Sequence, residues 1–370
     1  MKICFILGTR PEIIKLAPLI KECEKEQISY NIIHTGQHYD YLLDKIFFKE
    51  LGLNPETENL KIGSGTHTES IGKIIQKLGK KLRTLKPDII LVEGDTNTVL
   101  AGAITAKKIF DINPKIKVGH IEAGLRSNYY EMPEEYNRIM TDHISDYLFA
   151  PTKQAVKNLK KENIPKDRIF LTGNTIVDAV YQNIKTAETK SRILTTLNIK
   201  KDNYILLTAH RQENVDNPKK LLGLIEGLKR LSKNHNLPII YPIHPRTKKR
   251  IRDFHLFSRL QQIQNLIITE PVGYFDFLIL QKNAALIITD SGGVQEESCI
   301  LKVPCITIRD NTERPETIKI KSNILVGCNP KKMEKGAKKM LFKKRKWKNP
   351  FGDGKASQKI INILKEKNEV

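Results

Sequence analysis

The stretch LIITDSGGVQEE, Leu286–Glu297, completed by RDNTERPE, Arg309–Glu316, decides how the chain is read. Leu286–Thr289 is a short apolar run rich in β-branched residues, the pattern of a buried strand. Asp290-Ser291-Gly292-Gly293 is a sharp turn in which paired glycines let backbone approach a ligand closely. Val294 onward, with Gln295, Glu296 and Glu297, opens a helix. Strand, glycine turn and helix start together form an anion site, because free backbone N–H groups and the positive helix end face outward from the sheet. Ser291 adds a hydroxyl donor, and Glu296 or Glu297, one turn in, can accept from a sugar or ribose hydroxyl. Arg309 and Arg314 lie just beyond the next strand, Cys305–Ile308, where one can clamp a phosphate bidentately. Two glycines alone would suit any strand-to-helix bend. The glutamates and the arginine cluster favour a nucleotide diphosphate.

Outward from this stretch, strand-like and helix-like runs alternate along the whole chain. Lys2–Leu7, Tyr30–His34, Ile89–Glu93, Lys117–Ile121 and Tyr147–Ala150 read as strands. Between them Pro11–Glu24, Asp40–Leu51, Glu69–Leu85, Asn97–Phe110 and Pro133–His143 carry helical spacing or helix-start signals. A second series follows at Tyr204–Thr208, Pro238–Tyr241, Leu266–Thr269, Leu286–Thr289, Cys305–Ile308 and Ile324–Val326. Repeated βα alternation implies parallel sheets covered by helices on both faces. The expected fold is therefore α/β, with two doubly wound Rossmann-like domains facing a cleft and ligands at the C-terminal ends of strands. The pattern loosens after Gly173, which sets expected domains of residues 1–172 and 173–350. Residues 351–370 form a final helix, with a return to the first domain as one outcome.

Strand ends carry the chemistry. After the first strand comes Gly8-Thr9-Arg10-Pro11-Glu12, with Lys15 one turn further on. Arg10 and Lys15 are each ordinary surface charges alone, but jointly at a strand end they point to a ligand. This is not G-x-G-x-x-G, and no such fingerprint occurs in the chain, so a dinucleotide cofactor is not expected. Asp95, Glu122 and Glu134 end strands or start a helix in the first half. Carboxylates grouped this way supply general acids and bases. Asp95 or Glu134 alone would pass as a helix cap or a first-turn dipole partner. Arg126 and Arg138 can hold such carboxylates ionised or touch substrate. In the second half, strands end in Ala209-His210-Arg211 and in Ile243-His244-Pro245-Arg246, two histidines each beside an arginine. No third ligand accompanies them, so metal is not expected.

Composition narrows the class. The chain has 370 residues, 39% of them hydrophobic, and no apolar run approaching a membrane span. Arg10 cuts short the apolar N-terminal run, which reads as a first strand and not a signal peptide. Five scattered cysteines without C-x-x-C spacing fit a reducing cytoplasm and argue against structural zinc. The formal charge is +22; residues 1–150 hold 20 basic and 20 acidic residues, so the excess lies wholly in residues 151–370. A basic half suits an acidic ligand. Lys331–Lys348, including KKRK at Lys343–Lys346, reads as a solvated helical face with its trailing loop. With only Phe342 and Trp347 interleaved, stacking on nucleic-acid bases is poorly supported.

Taken together, the motifs resemble the non-hydrolysing UDP-N-acetylglucosamine 2-epimerase family. They run in order along nearly the whole chain: GTRPEIIKLAP at Gly8–Pro18, EGDT at Glu93–Thr96, HIEAGLR at His120–Arg126, PEEYNR at Pro133–Arg138, HRQEN at His210–Asn214, HP at His244–Pro245, TDSGGVQEE at Thr289–Glu297 and ERPE at Glu313–Glu316. The resemblance implies a glycosyltransferase B-like fold, a homodimer, and interconversion of UDP-GlcNAc and UDP-ManNAc without metal or bound NAD. It implies that Asp95, Glu122 and Glu134 are the acid/base carboxylates and that His210 is catalytic or sits beside the diphosphate. It implies UDP contacts from Arg10, Ser291, Gly292, Gly293, Glu297 and Arg314, with Lys15 and Arg138 near them. It further implies a second, activating UDP-GlcNAc site lined by Gln37, His38, Arg211 and His244. The chain departs in HRQEN, where HRREN is common, and in TAH, where TGH is common.

Chemistry constrains the reaction separately. The C2 proton of a nucleotide sugar is not next to a carbonyl. It leaves either after transient oxidation, which needs NAD, or with elimination of UDP from C1. Phosphate clamps without a dinucleotide fingerprint fit elimination to 2-acetamidoglucal and re-addition of UDP, inside a site that closes on both. The rivals are a 2-epimerase for another UDP-2-acetamido sugar, such as a diacetamido uronic acid, a glycosyltransferase of the same fold, and a basic nucleic-acid-binding protein.

Overall fold

The computed structural model describes residues 1–36, 41–55, 58–109 and 116–368. It divides into two compact units, Met1–Gln182 with Phe351–Val370, and Asn183–Pro350.

The first unit runs β1 (Lys2–Leu7), α1 (Arg10–Lys25), β2 (Ser29–His34), α2 (Tyr41–Glu50), β3 (Glu58–Asn59), α3 (His67–Leu85), β4 (Ile89–Glu93), α4 (Asn97–Lys108), β5 (Lys117–Ile121), α5 (Pro133–Ile144), β6 (Tyr147–Ala150), α6 (Lys153–Lys161), β7 (Ile169–Leu171) and the start of α7 (Thr175–Lys190). Its strands form one parallel sheet in the order β3-β2-β1-β4-β5-β6-β7. The order reverses between β1 and β4, so the crevice above those two strand ends is where a ligand fits. Ile3–Leu7 and Ile89–Val92 are buried along their length, as parallel strands covered on both faces must be.

The second unit continues with α8 (Ile193–Thr196), β8 (Ile205–Thr208), α9 (Gln212–Val215), α10 (Pro218–Asn234), β9 (Ile239–Pro242), α11 (Pro245–Asp253), α12 (Phe257–Gln261), β10 (Leu266–Thr269), α13 (Tyr274–Lys282), β11 (Leu286–Thr289), α14 (Gly292–Ile300), β12 (Cys305–Thr307), α15 (Pro315–Lys319), β13 (Asn323–Leu325) and α16 (Pro330–Leu341). Its parallel sheet has the order β10-β9-β8-β11-β12-β13, reversing between β8 and β11. The β11–α14 stretch with which the reading began therefore stands at the switch point. Both sheets are the doubly wound α/β pattern expected.

Two strands were not anticipated. β3 has only two residues and β7 three, too short to carry a period. The boundary at Gln182 also falls later than the junction expected after residue 172. The reason is a carboxylate. Asp178, on the first turn of α7, accepts hydrogen bonds from the Ala356 and Ser357 backbone amides and the Ser357 hydroxyl. The Asn174 amide donates to the Phe351 carbonyl at 2.8 Å. The start of α7 is thereby tied to the last helix, α17 (Ala356–Asn368), which packs on α1. The KKRK run is not helical: α16 ends at Leu341, and Arg345 and Trp347 anchor the following loop to Asp202 and to the Cys299 carbonyl.

Candidate functional site

In the first unit the site grows from the ends of β1, β4 and β5. Glu12 closes the turn after β1. Its carboxylate accepts from the Gly8 amide at 2.6 Å, the Thr9 amide at 2.7 Å and the Thr96 hydroxyl at 2.6 Å. It thus ties the β1–α1 turn to the β4–α4 turn that bears Asp95. Gly8 is required there, since a Cβ would lie 2.1 Å from the Thr35 hydroxyl oxygen. Burial pushes the Glu12 carboxyl up to about 7, against the pull of those same donors.

One turn along α1, Lys15 is 5% exposed. Its ammonium lies 2.6 Å from a Glu122 oxygen and 3.0 Å from a Glu93 oxygen. The Asn174 side-chain amide donates to the same Glu122 oxygen at 2.7 Å. Lys15, read as standing near a phosphate, is thus buried against two carboxylates. Glu122 itself adopts φ +68°, a left-handed conformation that costs a non-glycine residue about 1–3 kcal/mol and persists where the surroundings impose it. Burial pushes the Glu93 carboxyl well above the usual carboxylate range; Lys15 pulls it down, and Glu122 and Glu12 add to the rise.

A second cluster forms around Arg138 on α5. Its Nε and Nη2 reach the Asp95 carboxylate at 3.0 and 2.8 Å, and its Nη1 pairs with Glu135. Glu135 also accepts from the Ser127 and Asn128 amides. Asn137 donates to the Asp95 carbonyl at 2.9 Å. Arg138 thus holds Asp95, as one of the two readings expected. Glu134, in the first turn of α5, is half-buried beside this network. Arg126 serves a different carboxylate pair: it bonds Asp142 at 2.7 Å and Glu162 at 2.6 Å. Burial alone would raise the Asp142 carboxyl, but His120 and Arg126 hold it below its ordinary range. Arg10 lies over the Phe47 ring at 5.8 Å.

In the second unit the site is built on the β11–α14 turn. Ser291 caps α14, its hydroxyl accepting from the Val294 amide. Gly292 cannot be replaced without movement, because a Cβ would meet a Glu313 carboxylate oxygen at 2.5 Å, whereas the Gly293 position is open. Asp290, fully buried, accepts from the His210 and Arg211 amides at 3.0 and 2.9 Å, and His210 Nδ1 lies 3.4 Å from it. Arg314 meets Glu296 at 2.5 Å, and Arg309 meets Glu213 and Glu313, both at 2.9 Å. Glu297 accepts from the Gln281 amide at 2.9 Å.

Two residues read as lining a separate activating site are close to this turn. Arg211 lies 3.6 Å from Glu313, and the His244 ring is tilted against that of His210 at 5.6 Å. Gln37 and His38 lie outside the described residues. Sequence reading passed over Glu12, Glu93, Asp290 and Glu313. A glutamate ending the apolar run IILVE was the visible signal for Glu93. Among the described residues no group of three or more His, Cys, Asp or Glu side chains could hold a metal ion, and no helix is long and apolar enough to cross a membrane.

Known proteins match this arrangement along the chain. The family model for UDP-N-acetylglucosamine 2-epimerase matches residues 21–365. A UDP-N-acetylglucosamine 2-epimerase of Methanocaldococcus jannaschii is 56% identical over 366 residues, covering 98% of this chain and 99% of that protein. A UDP-2,3-diacetamido-2,3-dideoxy-D-glucuronate 2-epimerase of Pseudomonas aeruginosa is 37% identical over 368 residues, covering 98% and 99%. The crystal structure of the M. jannaschii UDP-GlcNAc 2-epimerase in complex with UDP-GlcNAc and UDP superposes with a TM-score of 0.94 at 55% identity, covering 99% of this chain and 100% of that one. With two doubly wound α/β sheets of the glycosyltransferase B-like kind, the chain belongs to the UDP-N-acetylglucosamine 2-epimerase family and is an isomerase.

Proposed function

We propose that this enzyme interconverts UDP-GlcNAc and UDP-ManNAc, eliminating UDP to 2-acetamidoglucal and adding it back at C1 while a proton returns to C2 on the opposite face. The observation that carries the reading is the buried Lys15–Glu122–Glu93 cluster at the switch point of the first sheet. Glu122, held there by the Lys15 ammonium and the Asn174 amide, is suited to taking or returning a proton at C2. Asp95, fixed by Arg138, and Glu134 are the other members of the acid/base set, and His210, backed by the buried Asp290, is the fourth catalytic residue.

The second unit supplies the nucleotide side of the reading. The Ser291–Gly293 turn at the start of α14 offers backbone amides to a phosphate, and Arg314 offers a guanidinium. Glu297 and Arg10 complete the substrate contacts, with Lys15 and Arg138 orienting the carboxylates. Elimination leaves the electron pair of the C1–O bond with UDP and needs no hydride carrier. The relative at 56% identity favours the GlcNAc/ManNAc pair over the diacetamido uronic acid of the more distant relative. A homodimer and an activating second site that includes Arg211 and His244 belong to the same proposal. Sedimentation tests the first. Rate against UDP-GlcNAc concentration, sigmoidal if the site operates, tests the second.

The direct test is incubation with UDP-GlcNAc and product analysis by NMR. UDP-ManNAc in equilibrium with substrate supports the reading. Turnover of a UDP-diacetamido uronic acid with none of UDP-GlcNAc replaces it.

A further inference from the structure

Glu93 is the last residue of β4 and stands in register with Ile121 of β5. Glu122 follows Ile121. In a continuing strand, alternation would send Glu122 to the opposite face from Ile121 and Glu93. The left-handed backbone at Glu122 breaks that alternation. Its carboxylate therefore arrives at the same ammonium as Glu93: Lys15 Nζ is 2.6 Å from one and 3.0 Å from the other. All three side chains are nearly excluded from water, at 7%, 3% and 2% exposure for Lys15, Glu122 and Glu93.

We propose that Glu93 is a positioning residue for Glu122, controlling through the shared Lys15 ammonium where the Glu122 carboxylate is held. The inference rests on the acid/base role given to Glu122 above. Its physical basis is charge. Two buried carboxylates facing one buried ammonium leave a negative charge that the interior cannot solvate. Retaining one proton removes it, and burial pushes the Glu93 carboxyl well above the usual carboxylate range. A neutral Glu93 leaves Lys15 and the Asn174 amide to orient Glu122. An ionised Glu93 competes for the ammonium and loosens that hold. The charged groups that act on Glu93 are Lys15 and Glu12 from α1 and Glu122 from the end of β5.

Burial makes Glu93 hold its proton to higher pH than an ordinary carboxyl, so kcat should fall as pH rises through the ionisation of Glu93. The test is the pH profile of kcat and KM for UDP-GlcNAc in the full-length enzyme, comparing wild type with Glu93→Ala and Glu93→Gln. Glu93→Ala should lower kcat about tenfold or more with KM within about threefold. Glu93→Gln, a neutral shape mimic of the protonated acid, should recover most of that loss and lack the alkaline limb seen in wild type. An alkaline limb unchanged in Glu93→Gln, or a Glu93→Ala enzyme with wild-type kcat, overturns the inference. UDP affinity measured by calorimetry shows that each variant is folded. Glu122→Gln is run alongside: if turnover survives there, the role of Glu122 itself falls. If Glu122→Gln is dead while both Glu93 variants behave as wild type, only the positioning role is lost.

Discussion

The two units gather buried charge around different cations, a lysine in the Glu93–Glu122 cluster of the first and arginines beside the β11–α14 turn of the second. In the first, Glu93 and Glu122 crowd one lysine, with Glu12 acting on Glu93 from the same helix. In the second, Arg314 is matched by Glu296, and Arg309 by Glu213 and Glu313. A carboxyl can relieve its burial by keeping a proton, so a surplus of carboxylates becomes a store of exchangeable protons. A guanidinium cannot deprotonate, so each buried arginine needs a permanent anion beside it. One arrangement suits proton transfer and the other suits holding a diphosphate. The basic excess is elsewhere: Lys331, Lys332, Lys335, Lys338 and Lys339 of α16 are all exposed.

The contrast breaks most sharply at the first unit's carboxylates. Asp95→Asn, Glu122→Gln and Glu134→Gln should each lower kcat by roughly 10²-fold or more, the usual loss for a general acid or base, while UDP still binds. Equal losses of UDP affinity in these variants would erase the division of labour. Arg314→Ala should do the reverse, weakening UDP by about 1.5–3 kcal/mol in calorimetry, a charged hydrogen bond's worth. Unchanged affinity would remove its phosphate role.

Glu12 sharpens the same contrast through stability. Burial pushes its carboxyl up to about 7 from an ordinary 4.5. Between those values the folded chain binds more protons than the unfolded chain, so stability falls as pH rises from about 4.5 to 7 and is flat beyond. Glu12→Gln should remove that decline, gaining about 1–3 kcal/mol relative to wild type between pH 5 and pH 8. Parallel thermal-unfolding profiles for the two proteins would contradict it. The smallest expected effect is at the exposed loop: neutralising Lys343, Lys344 and Lys346 together should leave kcat and KM unchanged. A large fall in the folded variant would give that loop a role.

Much of the fold and of the candidate site was legible from residue order, because the proposed residues stand at strand ends. Leu286–Thr289, Ile89–Glu93 and Lys117–Ile121 announce themselves by composition, and whatever follows them stands at the sheet's C-terminal edge. Asp95 was singled out that way, and Arg314 by the strand at Cys305–Thr307 that precedes it. The pairing among them was not legible. Lys15 is 107 residues from Glu122, and the contact depends on the parallel register of β4 and β5 and on one left-handed residue. Asp290 was read as part of a turn, and its role as acceptor for the His210 and Arg211 amides appears only when β8 and β11 lie side by side. Likewise nothing local in Asp178 shows that it anchors Ala356 and Ser357.

The most direct test of a proton taken and returned by the first unit's carboxylates is turnover of UDP-GlcNAc in heavy water, with the C2 position of the product read by NMR. Carboxylates that exchange with solvent should place deuterium at C2 of UDP-ManNAc, and long incubation should release traces of UDP and 2-acetamidoglucal. Product that keeps the substrate's own C2 hydrogen would contradict the account, pointing to one shuttling base shielded from solvent or to hydride transfer.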